Sequence, residues 1–236
     1  MFLHGLGCDG TMWDAVIERL PAGVGFLVPD LRGHGDSTLG WQSPSVDLWA
    51  QDVAALIAHE GLERPAVAGL SMGGYAALAL AAGFPDLARA FAFVSTSAGP
   101  DDDDGRLRRA QGLAVLRRSG WKAFATGLLP VLLSDALPGF EDRAGRLVET
   151  FERAGEAGLA ATLFALANRP DRRTILPALG VPSVAIVGDA DRLTPPDRAR
   201  EIASAAPGCR LVILPGIAHM SAMEAPEAVA AALAGL

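Results

Sequence analysis

The chain has 236 residues, half of them hydrophobic and 20% charged, with a formal net charge of −7. That balance describes one folded core with room for an inserted piece and excludes a disordered chain. The acidic surplus argues against the basic face that a phosphate backbone requires, so no nucleic-acid partner is expected.

Taken in chain order, the first predicted strand is Met1–Leu3, followed by His4-Gly5-Leu6-Gly7. This opening lacks the basic flank and long apolar run of a signal peptide. A helix is predicted over Met12–Leu20 and a second strand over Gly25–Val28, which leads into DLRGHGDS with His34. Then come a helix at Val46–His59, a strand at Ala66–Gly69, a helix at Gly73–Gly83 and a strand at Phe91–Val94. Residues 99–179 carry no strand pattern. Their acidic opening, Asp101–Asp104, reads as a solvated turn, and Leu113, Leu116, Trp121, Phe124 and Leu128 form an apolar helical stripe. Arg106, Arg108, Arg109, Arg117 and Arg118 in the same stretch read as a solvated face, with a carboxylate on a substrate as the alternative partner. Strands resume at Ser183–Val187 and Leu211–Leu214, with helices at Pro196–Ala205 and Pro226–Ala234, each opening on a proline.

The predicted strands are short and continuously apolar, the pattern of strands buried on both faces. Their alternation with helices gives an α/β fold, a mostly parallel sheet covered by helices on both faces. Residues 1–98 and 180–236 form the core, and 99–179 a helical insertion placed to lid it. No apolar run approaches roughly 18 residues, so no membrane span is expected. Cys8 and Cys209 are the only cysteines, with no metal-ligand spacing around them, which fits a reducing, cytoplasmic setting.

One serine stands out. Gly69-Leu70-Ser71-Met72-Gly73 fits G-x-S-x-G between a predicted strand and a predicted helix. Such a turn holds a nucleophile on a strained backbone, near free N–H groups at a helix start. The plainer alternative is that Ser71 merely caps the helix. A serine needs a base. His59 reads as surface, whereas His4, His34 and His219 each follow a predicted strand, where parallel sheets gather their chemistry. Topology does not choose among these three. An orienting acid is offered by Asp189 and Asp191, in GDADRLTPP after the Ser183–Val187 strand.

The set HGLG, DLRGHGDS, GLSMGG, GDADRLTPP and GIAHMSAMEAPEAV, in this order, resembles the α/β-hydrolase fold superfamily, and within it small esterases and 3-oxoadipate enol-lactonase-like members. The resemblance implies the chain order nucleophile, acid, base. It makes Ser71 the nucleophile, Asp191 the acid with Asp189 as runner-up, and His219 the base, and leaves His34 in a structural loop. It places the oxyanion donors at the backbone N–H groups of Leu6 and Met72. Trp121, Phe124 and Leu128 become candidates for the substrate pocket. The implied activity is serine hydrolysis of small-to-medium carboxylic esters or lactones through an acyl-enzyme, with neither cofactor nor metal. A cofactor-free perhydrolase, also called a haloperoxidase, and a C–C bond hydrolase share the same three residues. A non-catalytic small-ligand receptor is the alternative of another class. The chain departs from the family by starting almost at its HG motif: the first two family strands are expected to be absent, with truncation upstream favoured over a compact variant.

Overall fold

A computed structural model describes all residues, 1–236. Five parallel strands form one sheet in sequential order: β1 (Phe2–Leu3), β2 (Ala66–Leu70), β3 (Ala90–Val94), β4 (Ser183–Gly188) and β5 (Arg210–Leu214). One row of the register runs Leu3, Gly69, Phe93, Ala185, Leu211. Successive side chains point to opposite faces, and the core divides accordingly. Leu3, Val67, Phe91, Phe93, Ala185 and Val187 pack with helices α2 (Val46–His59), α3 (Met72–Gly83) and α6 (Pro196–Ala205). Phe2, Ala68, Leu70, Ala92, Val94, Val184 and Ile186 pack on the other side. There they meet α1 (Asp14–Ile17), the long helices α4 (Asp103–Leu132) and α5 (Phe140–Ala167), the short α7 (Ser221–Glu224) and α8 (Pro226–Leu233).

Helix α2 shows why these segments fold as they do. Ser45 caps it by accepting from the Leu48 N–H at 3.0 Å, and Val46, Trp49, Ala50, Val53, Ala54 and Ile57 bury one helical stripe. Helix α3 is buried all round and is built largely of alanine and leucine, which suits a helix enclosed between sheet and α2.

Three expectations from the sequence are corrected. Gly25–Val28 is not a strand: a single bond, Phe2 N–H to Leu27 C=O at 2.9 Å, ties it beside β1. No strand lies on its other side, so Phe26 is exposed and β1 is the edge of the sheet. The helix expected over Met12–Leu20 is a 3-10 turn at Gly10–Trp13 followed by only Asp14–Ile17. Asp9 starts that turn early, its carboxylate accepting from the Thr11 N–H and hydroxyl. Strand β5 is buried only toward its end, because it too is an edge, with Arg210 and Leu211 in solvent.

Between β3 and β4 the chain forms α4, α5 and a 3-10 turn at Arg173–Ala178. Both long helices are broken once at a glycine with positive φ, Gly120 in α4 and Gly155 in α5. The ends of this segment meet: Arg172 N–H donates to Ala98 C=O at 2.8 Å. Asp101 beside them is not a solvated turn residue. It is buried between Arg169 and Arg109, while Asp102 caps α4 by accepting from the Gly105 N–H at 2.7 Å. No helix is long and apolar enough to cross a membrane.

Candidate active site

The residues that carry chemistry lie beyond the carboxyl ends of β1, β2, β4 and β5, at one edge of the sheet. Ser71 follows β2 directly and holds φ 54° and ψ −111°. A serine pays strain there, of about 1–3 kcal/mol. The surroundings enforce it: Ser71 N–H donates to Val94 C=O, and Ser71 C=O accepts from the Thr96 hydroxyl and the Tyr75 N–H. The neighbouring glycines are equally constrained. A Cβ on Gly69 would overlap the Gly73 carbonyl, one on Gly73 the Leu3 carbonyl, and one on Gly74 the Thr96 side chain. Ser71 occupies the cap position of α3, yet its hydroxyl makes no capping bond, so capping does not account for it.

His219 follows β5 and is buried. Its Nδ1 lies 2.9 Å from Asp191 Oδ2. Asp191 follows β4, and its other oxygen accepts from the Leu193 and Thr194 N–H groups, each at 2.9 Å; the Thr194 hydroxyl donates to Oδ2 at 2.8 Å. Burial opposes ionisation of Asp191, but the facing His219 and these donors outweigh it and hold the carboxyl below its ordinary range. Asp189, two residues earlier, accepts from the Gly216 N–H at 2.7 Å and holds the turn after β5 instead.

His4 and His34 are buried together with ring centres 5.0 Å apart. His4 Nε2 accepts from the Leu31 N–H at 2.8 Å, which puts its proton on Nδ1, facing Gly5 C=O. Burial lowers the pKa of His4 to about 4 and that of His34 to about 3, so both are neutral at pH 7. Their loop is held by Asp30, which accepts from the Gly10 and Asp36 N–H groups, and by the paired Arg32 and Asp52. A Gly158 side chain on α5 would overlap the Gly33 carbonyl, so the helix rests directly on this loop.

The N–H groups of Leu6 and Met72 have no acceptor in the protein. Leu6 lies in the loop after β1, where Gly5 sits close to the Leu70 and Ser71 side chains, and Met72 opens α3. Ser71, Leu6, Thr194 and His219 share the wall of one cavity of about 630 Å³. Ser71 Oγ and His219 make no hydrogen bond; in many such sites that bond is long until substrate binds. Phe124 and Leu128 line the cavity. Trp121 does not: it stands in the first turn after the Gly120 break and packs, half-buried, against the apolar cluster under the sheet. Arg108, exposed as expected, and Arg109, only partly so, stand in the cavity wall as well.

Sequence reasoning missed Glu224. One of its oxygens accepts from the Ala218 N–H, next to His219, at 2.7 Å, and the other from the Ser134 N–H, between α4 and α5, at 2.6 Å. Burial raises its pKa against the pull of those donors. Its place in HMSAMEAPE, ahead of a proline that starts a helix, made it look like an ordinary helix-start acid.

The description "Alpha/beta hydrolase family" belongs to a family model that matches residues 1–232. A pimeloyl-[acyl-carrier protein] methyl ester esterase of Neisseria meningitidis is 31% identical over 235 residues, which cover 97% of this chain and 89% of that one. The structure of a thermophilic esterase from Thermogutta terrifontis, with malate bound, superposes with a TM-score of 0.91 at 32% identity, covering 98% of this chain and 86% of that one. An enol-lactonase from Burkholderia xenovorans LB400 gives 0.88 at 26% identity, covering 99% and 88%.

Proposed function

The chain belongs to the alpha/beta hydrolase family, and from that premise we propose that it is a serine hydrolase of small-to-medium carboxylic esters or lactones. Its similarity to proteins named as esterases and an enol-lactonase supports the ester or lactone as substrate class. The observation that carries the mechanism is Ser71, strained on the turn between β2 and α3 and facing the cavity that His219 also lines, with Asp191 behind the imidazole.

In this reading His219 Nε2 takes the Ser71 proton as Oγ attacks the ester carbonyl. The free N–H groups of Leu6 and Met72 receive the oxyanion. Asp191, kept ionised by its donors, fixes the proton on Nδ1 and stabilises the imidazolium. The alcohol leaves with the proton from His219, and water repeats the sequence on the acyl-enzyme to release the acid. Helices α4 and α5 act as the lid, their apolar residues Phe124, Leu128 and Leu163 receiving the chain of the substrate. The two unpaired cysteines fit a cytoplasmic setting.

A fluorophosphonate probe followed by intact mass tests the reading. One adduct is expected on the wild type and none on Ser71→Ala, with ester turnover in the variant down by about 10⁶. A folded wild type that takes no adduct and turns over no ester defeats the proposal.

A further inference from the structure

The cavity beside Ser71 reverses the charge of the molecule. The chain carries −7 overall, yet the cavity wall holds Arg108, Arg109, Arg169, Arg192 and Arg198 against only Asp101 and Asp102. Two of the arginines share one acid. Arg169, itself buried over the Tyr75 ring, meets Asp101 Oδ1 at 2.5 Å, and Arg109 meets Oδ2 at 3.1 Å. Asp102 is engaged in capping α4. The nearby acids Asp103 and Asp197 are taken by Arg106 and Arg200. Arg108, Arg192 and Arg198 make no ion pair within 4.0 Å, although Asp104 stands one helical turn before Arg108, and Asp191 and Asp197 adjoin the other two.

These three come from separate segments: α4 for Arg108, the loop after Asp191 for Arg192, and the first turn of α6 for Arg198. Three unlinked pieces of chain bring the same charge to the wall of one cavity. Each is also exposed, so solvent and ions reach them. The first turn of α6 lies at the same place, with Pro195 in the cavity wall, and the N-terminal end of its dipole adds positive potential. Val131, Leu132, Leu163 and Leu166 complete a wall on which a hydrocarbon chain can lie.

Resting on the hydrolase reading above, we propose that the site selects esters whose acyl chain ends in a second, ionised carboxylate. The scissile carbonyl sits at Ser71, the methylenes lie along α4 and α5, and the distal carboxylate is held among Arg108, Arg192 and Arg198. Guanidinium groups match a carboxylate in shape and stay charged at every working pH. A like-signed cluster around a concave site also raises the encounter rate of anions, an effect that salt removes.

The test compares two methyl esters of equal carbon number, monomethyl adipate and methyl hexanoate, by proton release in a pH-stat at neutral pH. The wild type is expected to favour the anionic ester in kcat/KM by about tenfold at low salt, the order that three exposed pairs supply. High salt is expected to shrink this preference, and the combined Arg108→Gln, Arg192→Gln and Arg198→Gln variant to bring the ratio near one. The salt series on the wild type stands whether or not the variant folds. Equal rates at low salt, or a ratio untouched by salt and by the variant, overturn the selectivity. If both esters fail and the fluorophosphonate adduct is absent as well, the hydrolase reading itself falls; an adduct with equal rates removes only the inference drawn here.

Discussion

The turn at Ser71 and the helices α4 and α5 wall the same cavity, but their glycines are held by different means. At Gly69, Gly73 and Gly74 an added Cβ would run into backbone or into Thr96. At Gly127 and Gly145, in α4 and α5, it would meet nothing within 4 Å. The backbone of α3 itself, Leu3 of β1 and Thr96 just after β3 therefore dictate the first set, while the second set sits in open space. The residues proposed for bond-breaking occupy positions the sheet leaves no freedom to change. The residues proposed to receive the substrate occupy helices with open positions such as these, crowded only where they rest on neighbours, as Gly158 does on Gly33 and Gly105 on Asp101; α4 is also where Arg108 and Arg109 come from.

Substitutions can break or sharpen this contrast. After Ser71 itself, the largest effect is expected at the acid. Asp191→Asn should lower kcat by about 10⁴, whereas Asp189→Asn should leave most activity, because Asp189 holds only the Gly216 turn; steady-state rates of the two variants decide between them. Next, Gly73→Ala should cost about 3 kcal/mol of stability through the clash with Leu3, read from urea unfolding. A variant as stable as wild type would show that the turn has slack.

A third expectation concerns pH. His4 is neutral when folded down to about pH 4 and His34 to about 3, whereas in the unfolded chain both take protons below about 6.5. The unfolded state therefore gains protons first, and stability is lost as pH falls from about 6.5 toward 4, by about 3 kcal/mol for His4. Asp191, whose carboxyl is held low, adds a loss of the same sign only below that window, under about pH 4. Unfolding curves at neutral and acid pH check this, and a flat profile across that window counts against it. The smallest effect has the opposite sign from Gly73→Ala: Gly127→Ala should stabilise by about 1 kcal/mol, as alanine replaces glycine in a helix interior. It should also trim the cavity and shift the preference toward shorter acyl chains, measurable with an ester series.

The same contrast explains what could be read from the sequence. Strands β2, β3 and β4 were legible because continuous apolar runs have few other uses in a chain of this size. Ser71 was legible because its glycines are forced. Gly25–Val28 has the same apolar look, but pairing depends on a neighbour that composition does not reveal, and none is there. Asp189 and Asp191 could not be separated by spacing, since both sit in an irregular loop; only the fold brings one of them to His219. Asp101 and Glu224 were misread or missed because each is defined by long-range partners, Arg169 for one and the Ser134 N–H for the other. Trp121 fits the apolar stripe, but periodicity gives a residue's angle around a helix and not where along it a cavity ends.

The bond from Arg172 N–H to Ala98 C=O, reinforced by Arg169 and Asp101, draws the two ends of the helical segment together at a neck. Closing a longer loop across such a neck costs little, about 0.6 kcal/mol for each doubling of length. The registers of β3 and β4 are therefore insulated from whatever is spliced between them. A lineage can lengthen, shorten or exchange that segment and explore new substrates while the sheet edge beneath goes on presenting the same serine.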